Sequence, residues 1–403
     1  MAITVAYYGM SEVYVKRDNA YVREGPGSYY TLMVVLQQGT KVDALESSGG
    51  WNKVRLQDGR AGWIASNCLA DKQPEGKTVE NISTKWASAR ASQTGLAAAI
   101  KGFAQKYGSV DAGNVNTVQV HSRKNFNGAD VSVFNNPLAA YHSTNRGRLS
   151  IDDLDLDQPD YDPSFEEQGV GLGIASRIVS KGLIDDPELL RYVNLIAAVI
   201  AQNSKVYDWD FNVFVLNDDR INGFACPGGY IFITLGAIKA CEDESMLAAI
   251  IAHEMAHVIR RHGLQEMTRR LVDIKADQAF NELEEDTGEH SEVDDEMESM
   301  CESSYEIVVH KRLLAYETEA DEIAAVLCAN AGYDPSGIVR MDSKVATLMN
   351  TDPDIFGEDF SMQKEPQERV VPIKAFVEKK FRATDPGAQM KERFDSEIER
   401  LRK

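Results

Sequence analysis

Five consecutive residues, His253-Glu254-Met255-Ala256-His257, carry the clearest chemistry in the chain. On a helix, two histidines four apart project from one face about one turn apart, so both imidazoles can reach a single metal ion. Glu254, next to the first of them, then addresses a water at that metal rather than the metal itself. A catalytic zinc needs a third protein ligand and keeps one position for water. The stretch Tyr316-Glu317-Thr318-Glu319-Ala320-Asp321 supplies candidates, because Glu317 and Asp321 are again i, i+4 on a helical pattern. One of these carboxylates can ligate zinc while the other accepts a hydrogen bond from a ligand imidazole and fixes its tautomer. Glu319 falls on a different part of that helix and is expected in solvent.

Helices and strands must hold these groups in place. Glu242-Asp243-Glu244-Ser245 caps a helix beginning near Met246, and Leu247, Ile250, Ile251, Val258 and Ile259 give it a buried surface. Leu189, Val193, Ile196 and Ile200 mark an amphipathic helix with Pro187 in its first turn. Phe211–Leu216 and Tyr230–Thr234 read as strands, with a turn at Cys226-Pro227-Gly228-Gly229 between them. Residues from about 12 to 70 are β-formers broken by Gly and Pro at short intervals, with a tight turn at Asp58-Gly59, the pattern of a small antiparallel barrel. Between them, Leu96, Ile100, Phe103 and Tyr107 predict a helix over Trp86–Tyr107, and acidic Asp152–Asp162 a connector. His121 and His142 have no partner at ligand spacing and read as lone surface histidines.

Across 403 residues, 43 Lys+Arg face 63 Asp+Glu, a formal net charge of −20. Such a field repels phosphate, so nucleic acid is not the expected partner. No run approaches the roughly 18 apolar residues of a membrane span. Residues 273–306 hold fourteen acidic side chains and one basic (Lys275), so a mobile, solvated insertion is expected there; the sharper reading is a lid over the cleft. Five cysteines, with no C-x-x-C pair, argue against a disulfide framework. Met1–Tyr8 lacks the basic start and long apolar stretch of a signal peptide, which fits a cytosolic protein or an exported one with its signal removed.

Three stretches together, Asn222–Thr234, Met246–His262 and Glu317–Asp321, resemble the HtpX and CAAX-prenyl-endopeptidase type of zinc metallopeptidase, over about 240 residues from near Pro163 onward. The Gly/Trp landmarks of the N-terminal region, Glu24-Gly25-Pro26-Gly27, Gly50-Trp51 and Gly62-Trp63, resemble the bacterial SH3-like domain. The resemblance implies a multidomain protein. An all-β SH3-like barrel (1–72) and an accessory segment (73–162) would precede a mainly α, α+β gluzincin-type metallopeptidase domain with a small sheet (163–403). It implies one zinc ion per chain held by His253, His257 and Glu317, Glu254 as general base to a zinc-activated water, and Asp321 supporting a ligand histidine. The Gly-Gly-Tyr strand would be the edge on which a substrate peptide adds; read without the family, it is an ordinary core hairpin. Unfolded or envelope polypeptides are the implied substrates, and a bacterial periplasm or envelope the implied place. The barrel would take a cell-wall peptide or protein ligand, or serve only as a spacer. One departure stands out: family members carry Thr/Ser-His-Pro near the C-terminus, whose His stabilises the oxyanion, and this chain has Thr384-Asp385-Pro386. Lys391 or Arg393 could compensate. The departure keeps open a second reading, a catalytically weak or latent zinc protein acting as a chaperone-like or partner-binding module.

Overall fold

Seven short strands at the N-terminal end form one antiparallel sheet: β1 (Ala6–Val15), β2 (Ala20–Arg23), β3 (Leu32–Leu36), β4 (Lys41–Ser48), β5 (Trp51–Arg55), β6 (Ala61–Ala65) and β7 (Leu69–Ala70), in the order β3-β2-β6-β5-β4-β1-β7. They come from a computed structural model that describes residues 6–17, 20–74, 112–141, 165–262, 314–356, 365–381 and 387–401. The expected helix over 86–107, the connector at 152–162, the acidic segment, Cys301, His142 and Thr384-Asp385-Pro386 lie outside the described residues. Alternation in the strands turns Val15, Val22, Val42, Val54 and Ile64 into one buried cluster. The turn expected at Asp58-Gly59 is present, with Gly59 at φ +85 and the Leu56 and Arg60 backbones bonded across it. This is the SH3-like region, and a mainly helical domain with a small sheet follows it.

That domain begins, in the described residues, with α1 (Ala112–His121), α2 (Gly128–Ala139), α3 (Phe165–Val179) and α4 (Pro187–Gln202). Asp186 caps α4, accepting from the Glu188 and Leu189 amides, and Pro187 occupies its first turn, as the sequence predicts. His121 bonds the Thr117 carbonyl of its own helix. The small sheet holds β8 (Asn212–Leu216), β9 (Gly223–Cys226) and β10 (Tyr230–Thr234), in the order β8-β10-β9. β10 is parallel to β8 and antiparallel to β9. The expectation that the Gly-Gly-Tyr strand forms the sheet edge is therefore corrected: β10 has a neighbour on each side, and among the described residues β9 lies at the edge. The opposite edge, along β8, is covered by residues 182–184 through Ile184 N–H to Val215 O and Asn217 N–H to Gly182 O. The turn at 227–229 is drawn tightly inward. Gly229 has φ +90, and a Cβ there would overlap the Asp210 carbonyl, so only glycine fits.

After α5 (Leu235–Ala240) come α6 (Glu244–Ile259), α7 (Leu314–Asn330), α8 (Gly337–Thr351), α9 (Glu365–Lys380) and α10 (Lys391–Ile398). Every residue of α6 is buried, because the sheet, α4, α7, α8 and α10 surround it. Fully buried Leu247, Ile251 and Met255 each contribute roughly 1.5–3 kcal/mol of apolar burial. Among the described residues no helix is long and apolar enough to cross a membrane, and Cys68, Cys226, Cys241 and Cys328 are buried outside any disulfide.

The barrel is seated on the helical domain through the loop between α4 and β8. Tyr207 packs edge-on against Trp51, with ring centroids 5.8 Å apart, and donates to the Gly50 carbonyl. Asp208, buried, takes a 2.9 Å ion pair from Arg17 and a bond from Asn67. Tyr21 accepts from Gln168 on α3, and Tyr29 packs on Phe126.

Candidate metal centre

The first turn of α6 is fixed before its chemistry begins. Asp243 caps the helix by accepting from Met246 N–H and Ser245 Oγ, and Arg340 on α8 clamps its carboxylate. Glu244 is fully buried, taking the Tyr192 and Tyr333 hydroxyls and the Arg393 guanidinium. Nine residues on, about 13 Å along the axis, His253 and His257 project toward α7. The two helices run against each other with alanines on their buried surfaces, Ala248, Ala252 and Ala256 on one and Ala320 and Ala324 on the other. Small residues keep the axes close enough for short carboxylates to reach the imidazoles.

His253, His257 and Glu317 converge, each offering a ligand atom within 4.8 Å of the others, and all three are buried. His253 Nε2 lies 3.3 Å from Glu317 Oε2, His257 Nε2 lies 3.2 Å from Glu317 Oε1, and the two Nε2 atoms are 3.0 Å apart. Asp321, one turn beyond Glu317, takes a 2.8 Å hydrogen bond from His253 Nδ1. Burial alone would lower the His253 pKa, but its bonds to Asp321 and Glu317 raise it to about 10. Burial lowers His257 to about 4. Two imidazole nitrogens and a carboxylate thus converge on one buried point. Divalent zinc takes this donor set, so the residues present fit the metal.

Glu254 is buried beside the first histidine. It lies against the edge strand: a Cβ on Gly223 would sit 2.5 Å from Glu254 Oε1, so glycine at this point of β9 leaves room for the carboxylate.

Three residues around the centre had no role in the sequence reading. Arg369 on α9 reaches Glu317 Oε2 at 3.0 Å, both oxygens of Asp321 at 2.6 and 2.7 Å, and Asp342 on α8 at 3.1 Å. Burial would raise the Asp321 pKa, yet Arg369 and His253 outweigh it and hold it below the usual carboxylate range. Asp342, also buried, is pushed up to about 8. Arg369 lies some fifty residues past Glu317 with no motif around it, so only the tertiary structure reveals it. His262 is the third, and its neighbour corrects an expectation. Glu319 is only partly in solvent; it takes 2.7 Å and 2.9 Å bonds from Arg260 Nε and His262 Nε2. A second correction concerns the compensating cations. Arg393 is held by Glu244, and Lys391 by the Glu242 carbonyl and Asp395, all at the far end of α6 from the histidines.

Residues 186–386 match the model of peptidase family M48, a span that contains the His helix, α7 and Arg369. This region of the chain belongs to peptidase family M48. Residues 18–70 match the bacterial SH3 domain. Among curated proteins, the chain is 35% identical over 88 residues to the beta-barrel assembly-enhancing protease of Escherichia coli (strain K12), covering 22% of this chain and 18% of that protein. It is 28% identical over 167 residues to the putative beta-barrel assembly-enhancing protease of Vibrio cholerae, 41% of this chain and 34% of that protein. It is 28% identical over 151 residues to the mitochondrial metalloendopeptidase OMA1 of Schizosaccharomyces pombe, 36% and 40% respectively. The chain thus spans under half the length of these relatives. The family is one of peptidases, and these relatives are named as a protease or a metalloendopeptidase.

Proposed function

We propose that the protein is a zinc endopeptidase that cleaves unfolded or misfolded polypeptides of a bacterial envelope. His253, His257 and Glu317 hold one zinc ion, Glu254 is the general base, and Asp321 positions His253. The observation that carries this reading is the convergence of two imidazole nitrogens and a carboxylate beside Glu254, at the edge of a sheet. The relatives named for β-barrel assembly support the envelope as its place.

Zinc, when bound, polarises the scissile carbonyl and lowers the pKa of a ligated water towards about 7. The chain's own groups do the rest. β9, at the sheet edge, offers its backbone for an extended substrate to add as a strand, which brings the scissile bond alongside Glu254. The Glu254 carboxylate takes a proton from the attacking water and returns it to the leaving amine. Asp321 keeps the His253 Nδ1–H in place, so that Nε2 faces the centre. The barrel's Tyr21, Tyr29 and Trp51 contact the rest of the chain, which supports a docked spacer; a cell-wall or protein ligand would use its remaining surface.

Glu254→Gln tests the assignment. It should bind zinc at one per chain and lose casein cleavage by about 10²–10⁴-fold; full peptidase activity in this variant would sink the role of Glu254. Asp385, standing where relatives of the HtpX type carry histidine, favours one second reading, a zinc protein with weak or latent turnover. Zinc uptake without casein cleavage, unaffected by 1,10-phenanthroline, would select it.

A further inference from the structure

We infer that His262 and Glu319 form a positioning relay that fixes the tautomer of His257, an inference that rests on the zinc reading above. The geometry runs in one direction. Glu319, paired with Arg260, is an acceptor, so His262 Nε2, 2.9 Å away, carries the hydrogen and donates it. With this imidazole neutral, its other nitrogen, Nδ1, is the acceptor, and it lies 2.9 Å from His257 Nδ1. His257 must therefore carry its hydrogen on Nδ1, which leaves the Nε2 lone pair facing the centre. The relay does for the second histidine what Asp321 does directly for the first.

The backbone is bent to make this contact. On a continuous helix a residue five positions on lies about 140° round the axis, and His262 would face away from His257. Instead α6 ends at Ile259, and Arg261 adopts the left-handed region at φ +53. That conformation costs a non-glycine residue about 1–2 kcal/mol. Two contacts hold the bend: the Arg261 guanidinium lies 5.9 Å from the Trp209 ring centroid, and the His262 ring stacks on Tyr316 at 4.4 Å and 13°. His262 is 4% exposed, so the pair is shielded from water that would otherwise substitute for either partner. Strain persisting beside a metal centre, in a residue whose turn delivers an imidazole to a ligand, marks a positioning device.

The test measures zinc affinity of the full chain by competition with a chelating dye, alongside melting of the metal-free protein. His262→Leu should lower affinity about 10–100-fold and leave metal-free melting close to that of the unaltered protein. His262→Gln should recover most of the loss, because its amide oxygen can accept from His257 while its NH2 donates to Glu319. Glu319→Ala should weaken zinc binding too, and the double variant His262→Leu/Glu319→Ala should be no weaker than His262→Leu alone, since Glu319 acts through His262. Unaltered affinity in His262→Leu, or losses that add in the double variant, would overturn the relay while leaving the zinc centre standing. Failure of the unaltered protein to take up zinc would overturn the zinc reading and the relay with it.

Discussion

The two histidines of the centre are supported in different ways. His253 is held by one carboxylate, Asp321, which is fully buried and clamped on both oxygens by Arg369. His257 is held through an intervening imidazole, and its terminal carboxylate, Glu319, has a side chain 21% exposed and an arginine partner near the surface. The short arm is thus part of the charge balance of the core, whereas the long arm reaches water. Breaking a buried cluster leaves an uncompensated charge; an exposed pair has solvent to replace it. The short arm therefore couples metal binding to stability, and the long arm bears on metal binding alone.

Arg369→Met should have the largest effect, because it strands Asp321, Glu317 and Asp342 around one lost cation. A loss of about 3–5 kcal/mol in the metal-free protein is expected from chemical denaturation. Zinc, by restoring positive charge and binding only the folded state, should recover part of it. If Arg369→Met proved no more destabilising than Glu319→Ala, the two arms would not differ in kind. Asp321→Ala comes next. It should lower zinc affinity about 10–100-fold, as His262→Leu does, but should also lower the metal-free melting temperature, which His262→Leu should not. Equal melting temperatures for these two variants would erase the distinction.

The division between the arms also separates what could be read in the sequence from what could not. His253, His257, Glu317 and Asp321 are legible because each pair repeats at i, i+4 on one helix, and that spacing is itself the geometry. The strands, the 226–229 turn, Pro187 in the first turn of α4 and the α6 cap follow from local residue types in the same way. Sheet order does not: nothing local says that Tyr230–Thr234 pairs on both sides, and the edge position that the resemblance implies for it falls to β9 instead. His262 was hidden by the same helical rule that revealed His257, because five residues on a regular helix point away; only the left-handed Arg261 reverses this. Arg369 and Asp342 meet Asp321 from two further helices, a coincidence of tertiary packing with no periodic trace. The expectation for Glu319 fails for a related reason, since one of its two partners, His262, follows the bend after α6.

The opposite end of α6 provides the smallest expected effect and a check that the arms act locally. Asp243 caps the helix there, and although burial would raise its pKa, the hydrogen bonds and charge of Arg340 hold it below the usual carboxylate range. A lowered folded-state pKa means that its stabilisation is present above the unfolded carboxylate value, near 4, and is lost as pH falls through the folded value. Asp243→Ala removes both cap and pair, and should cost about 1–2 kcal/mol at neutral pH, a difference that shrinks on acidification. Ten residues of helix, about 15 Å, separate Asp243 from His253. Zinc affinity of the folded variant should accordingly match that of the unaltered protein. If affinity fell along with stability, α6 would be transmitting strain from its cap to its ligands, and the difference between the two arms would have to be sought in the whole helix rather than in the partners of each histidine.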